Sequence, residues 1–181
     1  RTPGPDRQSA VHLGGPRVRH LDLSLKVDFQ QHRLSGDAIW TLAEVPARAT
    51  TLNLDGRDLE VQGAATRGPG KVWHRTTFQV VPVSEALGQR LEVQVPKGHA
   101  QVKLTYRTSD HAAGLQWLSP AQTEGKRHPF LFTQAQAIQA RSFVPCQDCP
   151  GVRITFRARL RTPRALRALM AADFDRTAPR T

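Results

Sequence analysis

From Leu21 to Leu42 the chain alternates apolar and polar residues with a period of two, twice in succession. Leu21, Leu23, Leu25, Val27 and Phe29 interleave with Asp22, Ser24, Lys26 and Asp28. After Gln30-Gln31-His32-Arg33 the period resumes at Leu34, Gly36, Ala38, Trp40 and Leu42. Successive side chains of an extended backbone point to opposite faces. The pattern therefore predicts two strands joined by a short turn, each with one buried and one solvated face. Leu52 and Leu54 lead into Asp55-Gly56, which reads as a turn. Residues 72–81 follow, with His74, Thr76, Phe78 and Val80 on one face, then Leu91, Val93 and Val95, then Val102, Leu104 and Tyr106. Residues 83–88 leave room for at most one helical turn. Short strands at this spacing, broken by Gly and Pro, predict an all-β fold: an antiparallel β-sandwich or saddle with long loops.

A chain of 181 residues suits one domain with a real core. Residues 1–16 are rich in Pro, Gly and polar side chains and are expected to form a disordered lead-in, with the folded domain over 17–181. The chain opens on Arg1 without a charged-then-apolar signal segment. No apolar run approaches a membrane span. A cytoplasmic location is the expectation, with a periplasmic or secreted one left open, and no membrane partner is expected.

The formal charge of +11 invites comparison with nucleic-acid binders, but its distribution argues otherwise. Residues 151–181 hold eight arginines against two aspartates, leaving a net +5 for the first 150 positions. Arg153, Arg157 and Arg159 alternate with Val152, Ile154, Phe156, Ala158 and Leu160, the pattern of a strand with one solvated face. Basic residues without interleaved stacking aromatics lack the usual platform for single strands. No nucleic-acid partner is expected. Cys146 and Cys149 form a Cys-x-x-Cys, but one pair supplies two of the four ligands of a structural zinc. A thioredoxin-type pair should open a helix, whereas Pro150 and a strand pattern follow. Both read as small buried or half-buried residues, and no metal site is expected in the chain.

From Ser109 to Gly151 the regular pattern fades, and a loop of that length in a compact domain is usually functional or strained. Leu115-Gln116-Trp117-Leu118 should pin it to the core through the tryptophan. Residues 163–172 have helical spacing at Leu166, Leu169 and Met170, which core packing or a short turn would explain. Within the long segment, Gln134 and Gln136 stand two apart in an otherwise apolar run. On an extended backbone both would point to one side, and each amide offers a donor and an acceptor suited to a peptide terminus or backbone. A bland reading, in which both bond neighbouring loops, stands beside it.

That run, Phe132-Thr133-Gln134-Ala135-Gln136-Ala137 followed by Pro145-Cys146-Gln147-Asp148-Cys149-Pro150, resembles zinc aminopeptidases of the leukotriene A4 hydrolase and aminopeptidase B type. The same order of pieces extends over residues 17–172. It includes Val18-Arg19-His20-Leu21-Asp22-Leu23, Leu52-Asn53-Leu54-Asp55, Tyr106-Arg107-Thr108-Ser109, Leu115-Gln116-Trp117-Leu118-Ser119-Pro120 and Ala165-Leu166-Arg167-Ala168-Leu169-Met170-Ala171. Cys149 departs from it, since a threonine-like residue stands there in the family. The family's His-Glu-x-x-His zinc helix and its Gly-x-Met-Glu-Asn strand do not occur in this sequence.

The resemblance implies a non-catalytic N-terminal β domain that flanks the substrate in a zinc metallo-aminopeptidase. It implies zinc held by the parent enzyme and none by this chain, which alone should be inactive. Partners would be the amino-terminal end of a peptide and the catalytic domain. Gln134, Ala135 and Gln136 would line the cleft. Gln136 would bond the peptide's N-terminal end, Gln134 would position that end or brace the loop, and Ala135 would offer backbone. Arg141 and Asp148 would be structural supports that hold the glutamines in shape. The competing reading is a stand-alone β-sandwich module that binds a peptide or protein through the Gln134 face.

Overall fold

The computed structural model describes residues 7–11 and 14–175. Residues 1–6, 12 and 13 of the expected lead-in, and 176–181 of the expected domain, lie outside the described residues. Eleven strands run through the described residues: β1 (Val18–Asp28), β2 (Arg33–Leu42), β3 (Thr50–Gly56), β4 (Glu60–Arg67), β5 (His74–Arg75), β6 (Phe78–Ser84), β7 (Gly88–Val95), β8 (Gln101–Arg107), β9 (Leu115–Leu118), β10 (Phe130–Thr133) and β11 (Thr155–Arg161). They form a six-stranded sheet in the order β11-β1-β2-β8-β4-β5, a three-stranded sheet β3-β7-β6 and a hairpin β9-β10. The predicted all-β architecture is the observed one.

The period-two pattern does what its chemistry requires. Leu21, Leu23, Leu25 and Val27 of β1 are buried, and Leu21 and Val27 lie opposite Trp40 and Leu34 of β2. At the turn the Asp28 carboxylate accepts the backbone N–H groups of Gln30 and Gln31, each at 3.0 Å. The Gln31 bond, more than the nearby Lys26, holds that carboxyl below its ordinary value. Gly36 has φ +149, and a Cβ there would fall on the Ser24 carbonyl oxygen, so the close β1–β2 approach requires glycine. Leu52, Leu54, Leu91, Val93 and Val95 of the small sheet share one apolar cluster with Trp40, Val102, Leu104 and Tyr106 of the large one. Each such side chain contributes about 1.5–3 kcal/mol by leaving water, which makes this inter-sheet layer the main source of stability.

Four features differ from the sequence reading. Asp55 is not in a turn; it is the penultimate residue of β3 and fully buried, and the reversal falls after Gly56. Residues 72–81 are two strands in two sheets rather than one. Thr76 donates its N–H to Ala64 O of the large sheet (3.1 Å) and its hydroxyl to Gln94 O of the small one (2.7 Å), so the chain crosses there. β11 runs parallel to β1, whereas the other ladders are antiparallel. Finally, β4 pairs with β8 in the large sheet, where the sequence pattern marks no strand. Of the two readings of residues 163–172 the short turn is the one found, closed by Leu166 N–H on Pro163 O (2.9 Å), with Leu169 and Met170 exposed.

Candidate functional site

The hairpin β9-β10 carries the chain to the glutamines. Leu115 pairs with Thr133, and beyond it the Gln134 N–H donates to the Gly114 carbonyl at 3.0 Å. There the ladder ends, because β9 offers no further partner. The extended backbone predicted for Gln134 and Gln136 therefore stops at Thr133. The chain instead folds into a loop closed by Gln139 N–H on Ala135 O, 2.8 Å. Gln134, Ala135 and Gln136 are all exposed on it. The Gln134 Oε1 accepts the Gln136 backbone N–H at a long 3.4 Å. The Gln136 side-chain amide has no hydrogen-bond partner among the described residues. Phe130 and Phe132, 54% and 45% exposed, lie on the adjoining strand.

The loop is short of contacts of its own, and what fixes it is its base. The 3-10 turn Ala140–Ser142 follows it directly. The Ser142 hydroxyl donates to Gln139 O (2.7 Å) and accepts the Gly114 N–H (2.8 Å), joining both ends of the loop. A Cβ on Gly114 would sit 2.7 Å from the Phe143 ring and 2.8 Å from Gln139 O, so only glycine permits this approach. The Tyr106 hydroxyl donates to Phe143 O at 2.9 Å, and burial pushes that phenol above its ordinary range.

Arg141, fully buried within the turn, anchors the base to the sheets. Its Nε donates to Asp148 Oδ2 at 3.0 Å, its Nη1 to Leu87 O at 3.1 Å, and its Nη2 to Gln8 O at 2.6 Å. The Asp55 carboxylate lies 3.6 Å from Nη1 and accepts the Asp148 N–H at 3.0 Å. Asp55 and Cys146 also exchange backbone hydrogen bonds of 2.7 and 3.1 Å. Buried Gln147 bonds Pro16 O and Asn53 O and accepts the Val18 N–H. Thus the Pro-Cys-Gln-Asp turn ties the loop to β1 and β3. Isolated charges cannot be buried cheaply, and pairing with full hydrogen bonding is what makes such a cluster tolerable.

The two cysteines are half-buried, and neither is in a disulfide. Burial, followed by the Asp148 and Asp55 charges, pushes the Cys146 thiol well above its ordinary value. No group of three or more His, Cys, Asp or Glu among the described residues could hold a metal ion. No helix among them is long and apolar enough to cross a membrane. On β11, Arg157 and Arg159 are exposed and Phe156, Ala158 and Leu160 half-buried, the one-sided pattern the sequence predicts. One aromatic–basic group is not visible in sequence spacing: Arg67 and Lys103 lie 4.5 and 5.2 Å from the centre of the Trp73 ring.

The structure thus brings Arg141 and Asp148 together beneath the loop and leaves both glutamines exposed on it, the Gln136 side-chain amide without a hydrogen-bond partner among the described residues. Sequence reasoning missed Asp55, Ser142, Gly114 and Arg57. Arg57 donates from Nη1 to Gln139 Oε1 at 3.2 Å and from its backbone N–H to Arg141 O at 2.9 Å. Asp55-Gly56 mimics a turn signal, and the other three carry no local signature. Asp55 alone lies in a piece that carries the family resemblance, Leu52-Asn53-Leu54-Asp55.

Comparison with known proteins agrees with that resemblance. Residues 17–178 match the Peptidase M1 N-terminal domain. The chain is 33% identical over 163 residues to leukotriene A-4 hydrolase of Xenopus laevis, covering 87% of this chain and 26% of that protein. It is 34% identical over 147 residues to leucine aminopeptidase 2 of Phaeosphaeria nodorum, covering 81% and 23%. The solved structure of yeast leukotriene A4 hydrolase in complex with bestatin superposes with a TM-score of 0.79 at 33% identity, covering 90% of this chain and 25% of that one. An M1 zinc metallopeptidase from Deinococcus radiodurans, at 23% identity and TM-score 0.56, shares the fold. The chain thus spans about a quarter of the length of these relatives. It belongs to the Peptidase M1 N-terminal domain family.

Proposed function

We propose that this chain is the substrate-flanking domain of a zinc metallo-aminopeptidase, and that its Gln134–Gln136 loop receives the amino-terminal end of a peptide. The observation that carries the reading is the contrast between tip and base. Two side-chain amides stand exposed at the tip, that of Gln136 without a hydrogen-bond partner among the described residues. Immediately behind them lies a fully buried guanidinium bonded to the backbone of distant segments. A charge cluster of that kind is costly to build, and it makes sense where the geometry of exposed groups matters.

In this reading the Gln136 amide accepts from the peptide's terminal ammonium, or donates to its first carbonyl. Gln134, engaged by the Gln136 backbone, keeps the loop in shape. Ala135 offers its backbone and no bulk. Exposed Phe130 and Phe132 provide apolar surface against which the parent's catalytic domain would close. Zinc, held by that domain, would supply carbonyl polarisation and an acidified water. The role of this chain is to bind and orient, which is worth several powers of ten in rate when geometry is held. The chain by itself is then inactive.

The test is hydrolysis of a short peptide by the full-length parent carrying Gln136→Leu. A fall in kcat/KM of at least about tenfold, or about 1.4 kcal/mol, is expected. An unchanged value would remove Gln136 from the site.

A further inference from the structure

Part of the segment expected to be a disordered lead-in, residues 8–11, bonds the buried Asp55 and Arg141. The Ser9 hydroxyl donates to Asp55 Oδ2 at 2.7 Å, and the Ala10 N–H donates to Asp55 Oδ1 at 2.8 Å. The Gln8 carbonyl accepts from Arg141 Nη2 at 2.6 Å. Val11 is buried, and its N–H donates to Ser9 Oγ at 3.1 Å, which orients that hydroxyl.

The charge balance explains why these contacts are needed. Two carboxylates, Asp55 and Asp148, share one guanidinium, Arg141, whose Nε is committed to Asp148. Asp55 lies 3.6 Å from the nearest Arg141 nitrogen and has no side-chain exposure, so it depends on neutral donors. It has three, of which the segment supplies two and the Asp148 N–H the third. A buried carboxylate deprived of donors must shift, take up water or take up a proton.

We propose that residues 8–11 are a clasp, and that Ser9 is a positioning residue for the glutamine loop, acting through Asp55 and Arg141. The path is continuous. Ser9 holds Asp55, Asp55 holds the Asp148 N–H, and Asp148 holds Arg141 Nε. Arg141 in turn sits in the 3-10 turn whose Ser142 closes the loop. Neither the predicted turn at Asp55 nor the compositional reading of residues 1–16 exposes this link. Its consequence for activity rests on the proposed role of Gln136, and its consequence for loop geometry does not.

The experiment is run on the full-length parent with Ser9→Ala, Ser9→Thr and Gln136→Leu. Amide hydrogen exchange is followed at Gly114, Gln139 and Ser142, and peptide hydrolysis is measured in parallel. Ser9→Ala should speed exchange at these amides about tenfold and raise KM several-fold with kcat little changed. Ser9→Thr, which keeps the hydroxyl, should restore both. A merely stabilising residue would lower the active fraction and leave KM alone. Unchanged exchange in Ser9→Ala overturns the clasp. Faster exchange with an unchanged KM, where Gln136→Leu does impair hydrolysis, overturns Ser9 as a positioning residue. Faster exchange with Gln136→Leu inert supports the clasp and sinks the reading of Gln136 instead.

Discussion

Asp55 and Arg141 lie 3.6 Å apart with neither side chain exposed to solvent, although 86 positions of chain separate them. One is the penultimate residue of a strand of the small sheet and the other sits in the turn behind the glutamine loop. Because Arg141 also bonds the carbonyls of Gln8 and Leu87, three distant segments meet on one guanidinium, beside the nearby Asp148. Position at the loop is therefore set by contacts of long sequence separation as well as by local turn chemistry.

Removing one partner of a buried pair leaves the other uncompensated, at a cost of about 3–5 kcal/mol. Arg141→Met should therefore lose much of the stability of a domain of this size. Urea unfolding checks this. A variant whose midpoint matched the parent would show that the pair carries no weight.

Gly114→Ala places a methyl group against the Phe143 ring and Gln139 O. Overpacking of this kind costs about 1–3 kcal/mol, and relief requires the loop base to move. Thermal unfolding should show a lowered Tm. Hydrogen exchange should localise the change to residues 134–143, while the β1–β2 amides exchange as before.

Alkaline pH should destabilise the fold in two steps. Cys146 and Tyr106 are both raised by burial, so in the native state each keeps its proton after the unfolded chain has lost it. The stability they contribute is complete below the unfolded values and declines as pH passes about 8.5 for the thiol and about 10 for the phenol. Unfolding free energies from pH 7 to 11 test this, with Cys146→Ala expected to remove the first decline. A flat profile would contradict the assigned burial.

Much of the two sheets was legible in the sequence because its signal is local: Leu21 to Phe29 and Leu34 to Leu42 alternate, and β1 and β2 follow. The Leu91, Val93 and Val95 run and the Val102, Leu104 and Tyr106 run are equally plain. Where the signal failed, the determining contact was distant. Asp55-Gly56 has turn composition, but donors from Ser9, Ala10 and Asp148 hold that carboxylate in the interior. Gln134 and Gln136 alternate like a strand, yet β9 runs out at Leu115 and leaves them no ladder. The position of the glutamines in the chain could be read from the sequence, and the means by which they are held could not.

The most direct measurement is steady-state hydrolysis of a short unblocked peptide by the full-length parent carrying Gln136→Leu, beside Gln116→Leu on the adjacent strand as a control. The expected result is a kcat/KM at least about tenfold lower for Gln136→Leu and close to the parent for Gln116→Leu. Equal losses in both variants, or none in Gln136→Leu, would contradict the assignment of the loop to the peptide's amino-terminal end.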